Sequence, residues 1–346
     1  MAVLYLAIDI TKEGGRHILG CLDNGKLKLE EVYSFTVNYT ERDGKNLWDL
    51  QEIFRQIKAG IAYCKEIGKL PVLVGLTACD GYFVLLDNDD RVIDDMVFSL
   101  DEVLAGEPDE GYSSCAERAK TFLMLSDYFN FLLTGRKQCE YTGLLREGLL
   151  SMETGDLNEE NIKKLCLSKE HFPLVLRPGN VISNLTLEVT EEVGYDFVII
   201  QAASQKACAA LAKIPDIYSD VLGDAIKEDG KSSEGRPDDD GSIVSKEVDS
   251  KAEAGKEEED TENKGNDGDI NEEDRIRNES IDEDSQKENG KPAGDGWKME
   301  KKEPTNKDVA DELKAAIGCL CILMITSHEF RDFDAARECI MNTFTK

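Results

Sequence analysis

Apolar residues recur at intervals of three and four from Leu47 through Leu50, Ile53, Phe54, Ile57 and Ile61 to Cys64. That period predicts an amphipathic helix from Leu47 to about Ile67, closed by Gly68. Ahead of it, three apolar-rich runs predict strands at Val3 to Ile10, Arg16 to Leu22 and Leu27 to Thr36. The last two flank Asn24-Gly25, the favoured two-residue hairpin turn, so the chain begins as an antiparallel meander. After the helix, "PVLVGLTAC" is a continuous apolar run suited to a central parallel strand, and "GYFVLLD" reads as another strand. Further on, the pattern predicts helices over Ser113 to Leu133 and Asn158 to Leu167, a short buried strand over Phe197 to Ile200, and a helix over Gln205 to Ala212. This order describes an α/β domain, a mixed sheet covered by helices, that closes near Ile217.

Residues 218–307 interrupt the pattern. They are mostly Glu, Asp, Lys, Ser, Gly and Asn, too polar to bury the surface that ordering requires, and are expected to form a disordered acidic linker. From Asp308 a helical stripe returns (Val309, Leu313, Ala316, Leu320, Met324), and a shorter helix from Asp332 follows (Phe333, Ala336, Ile340, Phe344). About 40 residues do not fold unaided, so this pair must dock on something. A linker of about 90 residues reaches roughly 50 Å, enough for docking on the N-terminal domain.

Charge narrows the partners. The formal net charge is -30, and Val221 to Glu300 carries 27 acidic against 12 basic residues, half of that excess. A balance of this sign argues against nucleic acid and anionic membrane surfaces and for small molecules or proteins, the acidic segment being a place for a protein partner. The 10 cysteines are scattered, mostly inside apolar runs and without a CxxC pair, which predicts buried free thiols and no structural metal. "MAVLYLAIDI" lacks a basic leader, and the apolar run Ala315 to Ile325 is too short to span a bilayer. The expectation is cytoplasmic.

The first turn, "DITKEGGR", with Asp9, Gly15 and Arg16, resembles the first phosphate loop of the FGGY sugar kinases, rhamnulokinases in particular. "LWDL" (Leu47 to Leu50), "FVLLDNDDRVI" (Phe83 to Ile93), "SDYFNFLLTGRKQCEYT" (Ser126 to Thr142), "RPGNVI" (Arg177 to Ile182) and "HEFRDFDAARECIMNTF" (His328 to Phe344) are similar to family segments in the same order. The resemblance covers about residues 1–215 and 308–346. It implies an RNase H-like (actin, Hsp70 and hexokinase type) N-terminal domain with a mixed five-stranded sheet, and a second domain that is mostly missing, residues 308–346 being its helical remnant. It also implies an ATP- and Mg²⁺-dependent kinase of a ketose such as L-rhamnulose, with Asp9 orienting the hydrated metal.

Several positions depart from the family pattern. Where rhamnulokinases have Ser-His-Asp, the Asp being the general base, this chain has Ser204-Gln205-Lys206, and an ammonium has no lone pair with which to take a proton. "LTACDGYF" replaces the Asp-Thr-Trp-Gly-Val-Asp-Phe segment, leaving Thr77, Cys79 and Tyr82; Asp80, one slot away, is either a sugar contact with Tyr82 or a solvated turn acid. "VFSLDE" leaves Asp101 or Glu102 to replace a lost pair. Neither the second phosphate loop nor the Gly-rich adenosine run is found. The resulting expectation is a degenerate, inactive kinase; an active carbohydrate kinase completed by a partner chain, and an interaction module using its acidic segment, are the alternatives.

Overall fold

The computed structural model describes residues 2–42, 45–106, 109–212 and 313–344, all within one compact unit. The expected acidic linker lies outside the described residues. The chain runs through β1 (Tyr5–Ile10), β2 (Gly14–Asp23), β3 (Lys26–Thr36), β4 (Tyr39–Arg42), β5 (Lys45–Trp48), α1 (Leu50–Glu66), β6 (Leu73–Ala78), β7 (Tyr82–Leu86), β8 (Phe98–Ser99) and α2 (Leu100–Ala105). It continues through α3 (Glu110–Arg118), β9 (Thr121–Met124), α4 (Leu125–Thr134), β10 (Cys139–Glu140), α5 (Tyr141–Arg146), α6 (Glu159–Lys164), β11 (Val175–Leu176), β12 (Val181–Asn184), α7 (Leu187–Val193), β13 (Val198–Ile200) and α8 (Gln205–Ala212). The C-terminal helices are α9 (Lys314–Thr326) and α10 (Phe333–Phe344).

The main sheet has six strands in the order β12-β13-β6-β1-β2-β3. β1, β6 and β13 are parallel, and β2, β3 and β12 are antiparallel to their neighbours. Five of these form the expected mixed sheet; β12, inside "RPGNVI", is an added edge strand. "GYFVLLD" does not join this sheet. It gives β7, the middle of a separate three-stranded sheet with β8 and β9.

Alternation along β1 decides which layer covers which face. Leu6, Ile8 and Ile10 meet Ile53, Ile57 and Ile61 of α1, whereas Tyr5 and Ala7 meet the face covered by α8 and α9. α1 starts three residues later than its spacing suggests, because Leu47 and Trp48 belong to β5 and Asp49 caps the helix by accepting the Glu52 N–H at 2.9 Å. The expected single helix from Ser113 to Leu133 is broken. Ala119 is extended, and the apolar run at Thr121 to Met124 pairs with β7 from Leu86↔Thr121 to Phe83↔Met124. Sheet pairing has overridden helical spacing there.

α9 is apolar all round, not striped: every residue from Ala315 to Met324 is buried, between the sheet and helices α8 and α10. All ten cysteines are free thiols, eight of them buried. Among the described residues no helix is long and apolar enough to cross a membrane.

Candidate functional site

β1 and β6 end side by side beneath the first turn of α8, and this corner gathers most of the residues singled out in the sequence. Asp9 pairs with Thr77 on one side and Arg16 on the other in the strand register. Its carboxylate is 5% exposed, and a single oxygen, Oδ1, accepts from Thr77 Oγ1 at 2.8 Å and from Gln205 Nε2 at 2.7 Å. Burial pushes the Asp9 carboxyl above the ordinary carboxylate range; the Gln205 and Thr77 hydrogen bonds and the charge of Arg16 only partly offset it. Gln205 also donates to the Ile10 carbonyl, so its side chain stitches α8 onto β1.

Helix α8 begins where the sequence predicts, but its first turn is held by a residue 125 positions away. Asp80 Oδ1 accepts the Gln205 N–H and Oδ2 the Lys206 N–H, each at 2.8 Å, so this carboxylate caps the helix from outside. The expectation of a solvated turn acid is corrected: the Asp80 side chain is 6% exposed and lies 3.5 Å from the Arg146 guanidinium. Burial pushes the Asp80 carboxyl up, and the two backbone N–H groups, Arg146 and Lys206 draw it back. Replacing Asp80 with Ala is expected to cost about 1–2 kcal/mol as a lost cap, whereas Asp80→Asn, which keeps an acceptor, should cost less. Chemical denaturation of the two variants at pH 7 distinguishes this from a solvent-facing acid, for which both changes would be neutral.

Lys206 is exposed. Glu147 lies beside it, raised by burial and by Asp80 and Asp101, and lowered by Arg146 and Lys206. Asp101 therefore reaches the edge of the cluster from α2; Asp101 and Glu102 are both exposed. Tyr82 faces elsewhere: its ring carries the Lys12 ammonium at 4.8 Å and packs on Trp48. Cys79 is buried against the Ile10 carbonyl, its thiol pushed up to about 12 by burial. The structure thus brings Asp9, Arg16, Thr77, Asp80 and Lys206 to one corner and places Tyr82 on its flank.

Sequence reasoning missed Gln205 as the anchor of Asp9, and it missed the layer behind the turn. Glu140 caps α5 and accepts from Thr142 N (2.7 Å), Thr142 Oγ1 (2.8 Å) and Gly143 N (2.6 Å). Thr142 Oγ1 in turn accepts the Ser204 N–H at 3.0 Å, so Glu140 sets the position of the turn leading into α8. Asp127 Oδ2 accepts the Glu140 N–H at 3.0 Å. No local signal marks it, since Glu is not among the residues that usually cap a helix.

A nucleotide with Mg²⁺, which the resemblance implies, needs free backbone donors in the first turn and an open carboxylate. Most of the donors of the turn are already used, and one oxygen of Asp9 takes two hydrogen bonds. The Glu13 and Gly14 N–H groups are accepted by Thr11 Oγ1 at 3.2 and 3.3 Å, and the Thr11 N–H by the Gly14 carbonyl at 2.7 Å. Gly15 leaves room for Phe35, whose ring would lie 2.3 Å from any Cβ there, and not for a phosphate. Among the described residues no group of three or more His, Cys, Asp or Glu is placed to hold a metal ion. With these donors used and Phe35 filling the space at Gly15, the corner is a poor fit for the nucleotide.

Comparison with known proteins agrees with the fold. Residues 109–212 match the N-terminal domain of the FGGY family of carbohydrate kinases. The chain is 31% identical over 243 residues to a rhamnulokinase of Oceanobacillus iheyensis, covering 61% of this chain and 52% of that one, and 30% identical over 249 residues to a rhamnulokinase of Halalkalibacterium halodurans, covering 62% and 53%. It spans about half the length of these curated relatives. Among solved structures, a gluconate kinase from Lactobacillus acidophilus superposes with a TM-score of 0.52 at 17% identity, covering 61% of this chain and 50% of that one. A xylulose kinase from the same species superposes with a TM-score of 0.50 at 17% identity, covering 60% and 49%.

Proposed function

Because the chain carries the N-terminal domain of an FGGY carbohydrate kinase, rhamnulokinase-like in sequence, we propose that it is a degenerate sugar-kinase domain that no longer transfers a phosphoryl group. One observation carries the reading: at the start of α8, where rhamnulokinases are read as presenting their general base, the side chain is the exposed ammonium of Lys206, and the neighbouring carboxylate, Asp80, is bound by the helix's own N–H groups. Loss of a general base alone slows such a step roughly 10² to 10⁴-fold. The closed first turn removes nucleotide positioning as well, and in phosphoryl transfer positioning and charge stabilisation are most of catalysis. The reaction implied by the resemblance is the ATP- and Mg²⁺-dependent phosphorylation of a ketose such as L-rhamnulose, and the compartment proposed for this chain is the cytoplasm.

A coupled assay for ADP with Mg·ATP and L-rhamnulose, D-xylulose or L-ribulose is expected to give no turnover above background. Lys206→Asp is expected to stay inactive too, because it restores a base without reopening the turn at Thr11 to Gly15. Turnover by the unaltered chain that disappears in Asp9→Ala would refute the proposal.

A further inference from the structure

Behind the corner lies a polar layer sealed from solvent. Asp127 on α4 and Glu140 at the end of β10 are fully buried, and the Asp127 carboxylate accepts the Glu140 N–H at 3.0 Å. Buried polar atoms ordinarily have partners, yet around this pair several do not. Of the seven buried side-chain polar atoms without a partner among the described residues, five belong to Asn130, Gln138 and Gln201. Gln201 lies against the pair, with Nε2 3.5 Å from Asp127 Oδ1 and Oε1 unpartnered. Asn130 is one turn on from Asp127 along α4, and Gln138 precedes Glu140 by two residues.

Among the described residues no cation faces the pair. Of the strands packed on α4, β6, β9 and β12 carry no ionisable side chain, and Tyr82 of β7 is turned to Lys12. β11 and β13 carry none either. On α5, Arg146 is directed at Asp80 and Glu147, and Tyr141 lies under Arg177. The titratable groups that do face the pair are two thiols, Cys139 of β10 and Cys208 of α8, and both are raised by its charge. A single charge in the pair is spread over the donors that Glu140 N, Thr142 and Gly143 supply. Two like charges would repel in a medium of low dielectric with nothing positive between them. That repulsion has one short path out. Glu140 holds Thr142 by its N–H and its hydroxyl, and Thr142 Oγ1 accepts the Ser204 N–H at the turn into α8.

We propose that Asp127 and Glu140 form a latch on α8, closed while the pair carries a proton and opened to water, locally and ahead of global unfolding, when both carboxyls are charged. The unpartnered amides of Asn130, Gln138 and Gln201 supply entering water with the two to four polar partners it needs. Burial raises both carboxyls, and the charge of Asp127 adds to the rise at Glu140. Groups raised in the folded state lose their stabilising protons as the pH rises, so the latch opens on the alkaline side of neutrality. Its release frees the start of α8, the helix on which α9 is seated at Cys208. None of this depends on phosphoryl transfer.

Two thiols of the full-length chain serve as reporters. Cys208 on α8 faces the pair, whereas Cys64 on α1 belongs to the layer on the other face of the sheet. Both are buried and raised by burial, so iodoacetamide reaches either one only through an opening of the fold. Labelling at pH 6 and at pH 8.5, read by mass spectrometry of the two peptides, is expected to show the ratio of Cys208 to Cys64 modification rising about tenfold, the factor given by one pKa unit of coupling. In Asp127→Asn, where a second charge cannot form, the ratio should keep its pH 6 value. Should that variant fold poorly, hydrogen exchange in the unaltered chain decides. Corrected for intrinsic rates, the Ser204 amide must lose protection relative to Ala7 of β1 over the same pH interval. A ratio that is equal at both pH values, a rise that Asp127→Asn retains, or a rise in Cys208 labelling while Ser204 stays protected would each overturn the latch.

Discussion

Gly318→Ala is expected to lower the melting temperature of the full chain by about 6–12 °C, corresponding to about 3 kcal/mol. At Gly318 a methyl group would sit 1.9 Å from the Cys208 carbonyl oxygen, 2.5 Å from its carbon and 2.7 Å from its Cα. All three are backbone atoms of α8, which no rotamer change can move, so α8 and α9 must separate. Separation strips contacts from α9, whose buried residues from Ala315 to Met324 fill the second face of the sheet. Two other glycines allow the same docking but against softer neighbours. A methyl at Gly75 would meet Cys319 Sγ at 2.6 Å, and one at Gly20 the Leu320 Cδ1 at 2.6 Å, both ends of side chains that can turn. Thermal unfolding followed by circular dichroism should rank Gly318→Ala well below Gly75→Ala and Gly20→Ala. Equal losses in the three, or none, would mean that α9 does not seat against α8 at this distance.

That contact shows what a sequence can and cannot say. The run "AAIGCLCILMI" shows that a helix must be buried, since its apolar residues leave no polar face. It does not say that the only residue lacking a side chain faces Cys208. Local signals read true where local physics decides: Asn24-Gly25 turns the β2–β3 hairpin, with Gly25 at φ 73, and α8 spans Gln205 to Ala212 as its spacing indicates. Where a distant partner decides, they failed. Thr121 to Met124 is a strand because β7 offers an open edge, and Asp80 is a buried cap because α8 arrives above it from 125 residues later. The site was legible to the same extent. Thr77 lies beside Asp9 in the strand register and bonds it, but the second bond to Asp9 comes from Gln205, a residue whose importance exists only in three dimensions.

The largest pH effect should come from behind the site. Asp127 and Glu140 are fully buried, and burial pushes their carboxyls up to about 7 and about 8, with the charge of Asp127 adding to the rise at Glu140. Glu140 receives three donors, Asp127 one backbone N–H and a long 3.5 Å contact from Gln201. Each carboxyl therefore holds a proton into the neutral range, Glu140 to a slightly higher pH than Asp127. Both folded-state values lie above those of an unfolded chain, so the stabilising protons are fully present below about pH 4 and are lost as the pH rises through 7 to 8. Buried His17 works the other way. Its ring is held to about 4 by burial, so the stability linked to its neutral form is present above about pH 6.5 and falls away as the pH drops toward 4. Asp127→Asn removes the Asp127 part of the first slope and leaves the second, because Asn keeps an oxygen for the Glu140 N–H. Urea unfolding at pH 5 and pH 8 should show the variant gaining on the unaltered chain between the two, by on the order of 2–4 kcal/mol for a shift of this size. Parallel pH profiles for the two chains would place the proton elsewhere and leave Asp127 charged in the core, where a lone carboxylate has too few donors to be held.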